Sequence, residues 1–145
     1  MLASRLVLAF TQADVRGLTK AQRATLEEIA SLGFRFSVES ITDLDMDFHD
    51  LARRGFAFAK LDAPVFLGGL PLGSGHVPPT DLCRHLADAG LDLIVGLIGT
   101  EDARARILVC GATLGQGALF GAPRPVRASV LKPATEGQMA AQQRP

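Results

Sequence analysis

An excess of charge of either sign is missing from this chain: fifteen Lys and Arg residues stand against fifteen Asp and Glu, for a formal net charge of zero over 145 residues. With no global field to recruit nucleic acid or an anionic membrane surface, a nucleotide ligand needs a local site. Cysteine is scarce. Cys83 and Cys110 are the only two, and they lack both the spacing of a metal site and the numbers of a disulfide framework, so reduced core thiols are expected. No apolar run reaches the roughly 18 residues of a membrane span, and the first five residues enter a strand without a signal-peptide pattern. A cytoplasmic protein is the expectation. No serine or cysteine sits in a nucleophile elbow, so His49, His76 and His85 form no triad and are read as surface or packing residues.

What is present is apolar patterning. At 48% hydrophobic the chain can build one domain core, hiding roughly 70% of its surface. Leu6 to Phe10 reads as a strand covered on both faces. Thr19 with Gln22 makes a capping box, an apolar face follows, and Gly33 stops a helix expected over about 20–32. Phe34 to Glu39 gives a second strand, a short helix spans about 47–54, and Phe56 to Asp62 gives a third strand.

Glycine and proline then crowd the segment from Ala63 to Pro79, which reads as a long loop and the least compact part of the interior. Thr80 is expected to cap a helix ended by Gly90, Leu91 to Ile98 to form a fourth strand, and Thr100 to cap a helix running to Gly111. Leu114 to Phe120 reads as a fifth strand, and residues 132–145 read as a disordered C-terminal tail. Strand and helix alternate without hairpin signals, which predicts an α/β fold of parallel strands. Two architectures fit: a complete doubly wound sheet, or the second half of a (β/α)8 barrel of TIM type.

In either, chemistry belongs at the carboxyl ends of the strands. There the sequence places Glu39, followed by a loop with Asp43, Asp45 and Asp47. The triplet resembles the start of a calcium loop, but Phe48 and Arg54 occupy the positions that need a glycine and a bidentate glutamate. A phosphatase nucleophile loop is no better, because Ser40, Ile41 and Thr42 separate the first aspartate from the strand. The plain reading is a solvated acidic loop whose aspartates cap the helix near Asp47. The glycine-rich stretch from Gly68 to Gly75 offers amides to an anion but lacks the lysine and hydroxyl of a phosphate loop. Lys60, at the end of an apolar strand, is placed either to hold an anion or polarised water or to pair with Asp62 or a neighbouring acidic loop.

The order of segments resembles the carboxyl-terminal portion of the EAL domain of cyclic di-GMP phosphodiesterases. Arg5 to Gln12 resembles its "LVLEITE" strand, Gly33 to Leu44 its "GxxxxxDDFGTG" segment, and Phe58 to Asp62 its "xxKID" strand. Gly90 to Thr100 resembles "GLxxIAEGVET", and Gly115 to Phe120 with Pro123 resembles "xQGYLFxxP". A narrower resemblance, through Gly33 to Ser37, Thr42 to Asp45 and Phe120 to Arg127, is to the degenerate EAL domains of TipF-like flagellar-positioning proteins.

The resemblance implies a partial degenerate EAL domain over residues 1–131, part of a parallel barrel with its ligand at the carboxyl strand ends. It implies Lys60, Gln116, Gly117 and Pro123 as ligand-binding positions and Lys60 with Glu39 as vestiges of the catalytic machinery. Active members bind two divalent metals through carboxylates on several strands. Here those positions carry Ala9, Gln12, Glu39, Ser40, Gly96 and Gly99, which leaves Glu39 and Asp62 as the candidate metal ligands.

The leading expectation is therefore a catalytically inactive signalling domain that binds protein partners or itself, with cyclic di-GMP as candidate ligand and no cofactor. A residual phosphodiesterase using Mg²⁺ or Mn²⁺ through Glu39, Asp62 and the acidic loop is the enzymatic alternative. A self-contained receiver-like doubly wound module is the third.

Overall fold

A computed structural model describes residues 2–125 of the chain. Strand β1 (Val7–Thr11) leads into helices α1 (Gln12–Arg16) and α2 (Lys20–Ser31), then strand β2 (Arg35–Glu39). Helix α3 (Phe48–Arg53), strand β3 (Phe56–Asp62) and helix α4 (Ala63–Gly68) follow. A small hairpin of β4 (Leu70–Leu72) and β5 (Gly75–Val77) precedes α5 (Pro79–Ala89), β6 (Asp92–Gly96), α6 (Glu101–Val109) and β7 (Leu114–Gly115).

Five strands form one parallel sheet in the order β1-β2-β3-β6-β7. Each strand is added beside the previous strand of the sheet, without the reversal of direction that defines a doubly wound sheet. The receiver-like alternative is thereby set aside in favour of an open stretch of barrel-type sheet. Among the described residues the sheet does not close on itself.

Side-chain alternation divides the sheet into two unlike faces. Phe36, Val38, Ala59, Leu61, Leu93 and Val95 are buried under the helices, and Phe10, Phe36 and Phe56 pack ring to ring with centroids 5.2–6.2 Å apart. On the other face Val7 and Leu114 remain 39% and 43% exposed, and Phe58 and Ile94 are half-buried. One irregularity shifts the β2–β3 register: Phe36 faces Phe56, whereas Ser37 faces Phe58, so Ala57 is an extra residue on β3.

The helix starts follow from local chemistry. Thr19 and Gln22 close the expected capping box on α2, and Thr100 accepts from the Ala103 amide to start α6. Four expectations are corrected. The segment from Ala63 to Pro79 is no loose loop: Pro64 falls in the first turn of α4, and Ala63, Phe66 and Leu70 join the core. The hairpin missed in the sequence turns at Gly73, with φ +57°.

Thr80 caps nothing; α5 starts two residues earlier than a Thr80 cap would place it, at Pro79, whose fixed φ suits the first helical position. The fifth strand is only two residues long, because Ala118–Phe120 coil into a 3-10 turn. Cys83 and Cys110 are free and half-buried against the core. The tail expected over 132–145 lies outside the described residues.

Candidate functional site at the carboxyl ends of the strands

Parallel pairing brings the carboxyl ends of β1, β2, β3 and β6 together. Thr11 faces Glu39, and Asp62 faces Gly96. The Lys60 ammonium lies 3.9 Å from Glu39 Oε1 on the neighbouring strand, both side chains being about one-third exposed or less. The pairing partner of Lys60 is thus Glu39; no ion pair joins it to Asp62 among the described residues. Glu39, Ser40, Lys60 and Asp62 line one cavity of about 80 Å³.

Gly96 explains how Lys60 fits. A Cβ at this position would meet Lys60 Cε at 2.9 Å and Asp62 Oδ1 at 3.3 Å, so the lysine stem runs through the space that a longer residue would claim. Gly96 stands where the motif described above has a glutamate, and a side chain there would have to push the flexible end of Lys60 aside.

Two residues at these strand ends hold left-handed backbone without being glycine: Ser40 at φ +50° and Leu97 at φ +55°. Leu97 is 69% exposed and stands where the motif has a glycine. Each carries a local conformational cost that the surrounding fold must hold in place.

The acidic loop is engaged throughout. Asp43 takes a two-pronged ion pair from the Arg16 guanidinium, with Nη1 donating to Oδ2 at 3.1 Å, and also accepts from the Asp45 amide at 3.0 Å. Arg16 holds the Asp43 carboxyl below its ordinary range, and Asp43 in turn raises the guanidinium. Asp45 accepts from the Gly73 amide at 2.7 Å, tying the loop to the hairpin, and Asp47 accepts from the Asp50 amide at 2.9 Å. The expectation that the aspartates cap a helix therefore holds for Asp47 alone; Asp43 and Asp45 brace the loop against α1 and the hairpin.

Sequence reasoning treated Gln12 only as a lost glutamate. Its side chain is 1% exposed, its Nε2 donates to the Asp43 carbonyl at 2.9 Å, and its Oε1 accepts from the Thr42 amide at 2.9 Å. One neutral amide thus fastens the end of β1 to the acidic loop. The signal was present in its place, directly after a buried strand, where a polar residue must find partners.

Gln116, Gly117 and Pro123 do not reach the Glu39–Lys60 cavity. The Gln116 backbone donates to Val95 at 2.9 Å and accepts from Ile98 at 3.0 Å, continuing the β7 edge, while its side chain is exposed, as is Pro123. At Gly117 a Cβ would stand 2.3–2.8 Å from the Ile98 backbone, so close approach of two chains accounts for this glycine.

A two-metal centre does not fit these residues. Among the described residues no three His, Cys, Asp or Glu side chains gather into a possible metal site, and Glu39 already faces a lysine. Among the same residues no helix is long and apolar enough to cross a membrane.

No protein-family profile and no curated protein matches the sequence. Solved structures do match. The PaMucR phosphodiesterase in complex with cyclic di-GMP superposes with a TM-score of 0.66 at 19% identity, over 90% of this chain and 52% of that one. The EAL enzyme Bd1971 in its cAMP-bound form gives 0.63 at 18% identity, over 83% and 32%, and its form with cAMP and cyclic di-GMP gives 0.62 at 17%, over 83% and 32%. The chain thus spans from about a third to about half of the length of these proteins. Its open run of parallel strands has the fold of part of an EAL domain.

Proposed function

We propose that this chain is a signalling domain of EAL type that has lost phosphodiester hydrolysis and acts by binding, with cyclic di-GMP and protein partners as its ligands. The observation that carries the reading is the Lys60–Glu39 pair beside Gly96. Hydrolysis by two metals needs several carboxylates in concert around a water. Here one of the two remaining carboxylates is matched with an ammonium, and the lysine stem runs where a third would enter. Lys60 and the exposed amide of Gln116 are suited to hold phosphate or guanine groups rather than to cleave them. A role in flagellar positioning, on the resemblance to TipF-like domains, and the cytoplasmic location expected from the sequence belong to the same reading.

Incubation with cyclic di-GMP and Mg²⁺ or Mn²⁺ tests it. No linear dinucleotide should accumulate, while titration calorimetry should give saturable binding weakened by Lys60→Ala. The second reading, a residual metal-dependent phosphodiesterase, is favoured by one observation, that Glu39 and Asp62 share a cavity. Turnover that Glu39→Gln abolishes would establish it in place of the first.

A further inference from the structure

The sheet face turned away from the helices carries Val7, Phe58, Ile94 and Leu114 on β1, β3, β6 and β7, so apolar side chains run from one edge strand to the other. An apolar patch of this kind marks an interaction surface. Its charges select the partner. β3 is the middle strand of the five, with β2 on one side and β6 on the other. Arg35 stands exposed on β2, its guanidinium 5.3 Å from the Phe58 ring centroid and reaching the Ser4 carbonyl only at 3.5 Å. Asp92 stands exposed on β6, opposite Phe58 in the ladder. Among the described residues Arg35 has no ion pair, and the Asp92 carboxylate has neither an ion pair nor a hydrogen bond. An unmatched cation and an unmatched anion thus flank the central aromatic side chain, one on each side. Glu39 and Lys60, further along the face, are matched to each other, and Asp62 lies at the exposed end of β3, in contact with water.

A two-fold axis running along β3 exchanges the positions of β2 and β6. A second copy generated by that axis, stacked at the usual sheet separation of about 10 Å, sets Arg35 of each copy against Asp92 of the other and Phe58 against Phe58. An acidic or a basic partner would match one of these charges and leave the other desolvated without a counterpart. We propose that this face binds a second copy of the chain, with two symmetric Arg35–Asp92 pairs fixing the register of the stacked sheets. The inference rests on the binding role proposed above and gives it one partner, on residues apart from the Lys60 cavity. Nucleotide binding by a chain that stays monomeric would remove this inference alone; a dimer that does not bind cyclic di-GMP would remove the nucleotide ligand alone.

Sedimentation equilibrium with charge reversals tests it. The chain should show a monomer–dimer equilibrium. Arg35→Asp and Asp92→Arg should each weaken it about tenfold, since each replaces two exposed ion pairs by two like-charge contacts. An equimolar mixture of the two variants should recover the lost affinity, because every contact in the mixed dimer again joins opposite charges. The double variant carrying both reversals should pair with itself as the unaltered chain does, and circular dichroism of each variant confirms the fold. The proposal is overturned by a monomer at every concentration, the result expected if a different protein or another segment of a longer chain covers this face. Assembly beyond the dimer, or a mixture no tighter than either variant alone, overturns it equally.

Discussion

Both ends of the Gln12 amide are used, one as donor to the Asp43 carbonyl and one as acceptor from Thr42. A glutamate of the same shape keeps the acceptor and turns the donor into a second oxygen against a carbonyl, in a position almost without solvent. Gln12→Glu should therefore destabilise the fold by about 1–3 kcal/mol in urea unfolding, and no loss would mean that the clamp carries no weight. Ser37 is the opposite case. Its hydroxyl is buried with no partner among the described residues, so Ser37→Ala should be neutral or stabilise by up to about 1 kcal/mol; a clear loss would reveal a partner. Lys60 shows what sequence can reach at this scale. A cation at the end of an apolar strand was legible, whereas its pairing with Glu39 rather than Asp62 depends on strand neighbours and a register shifted by the extra Ala57.

Between elements, ion pairs do the joining. Arg16 of α1 holds Asp43 of the acidic loop, and Arg54 after α3 holds Asp50 and, across to α2, Glu27. Asp43 and Asp50 are both pulled below the ordinary carboxylate value, first by their arginine hydrogen bonds. Each carboxyl thus releases its proton more readily folded than unfolded. The stabilisation is fully present above about pH 4, near the unfolded value, and is lost as pH falls through the lower folded values. Thermal melts should drop below that pH, and Asp43→Asn should flatten part of the drop; these pairs are solvent-exposed, so added salt should also shrink it. Elements with strong caps were legible from sequence, as α2 and α6 demonstrate. The α4 turn and the β4–β5 hairpin were not, because proline and glycine mark an ordered helix start or tight turn as readily as a loop, and only the burial of Phe66 and Leu70 tells them apart.

For the molecule as a whole, the two faces of the sheet pose different problems. The helical face buries most of its apolar side chains, but Val7, Phe58, Ile94 and Leu114 leave an apolar strip on the other, between edges at β1 and β7 with no further strand among the described residues. Such a surface favours association. Sedimentation velocity should show self-association that rises with concentration and weakens in Phe58→Asp; a monomer at every concentration would argue against it. Parallel strands alternating with helices were legible in the hydrophobic pattern, whereas the choice of an open barrel segment over a doubly wound sheet came from the order of the EAL-like motifs, since strand order is a property of three dimensions that periodicity does not encode. That order also bears on how the molecule is made. Because every new strand of the sheet docks beside the one laid down before it, a growing chain never waits for a distant segment. Each β/α unit finds its template already in place, so partly synthesised chains should gain structure in steps as they lengthen.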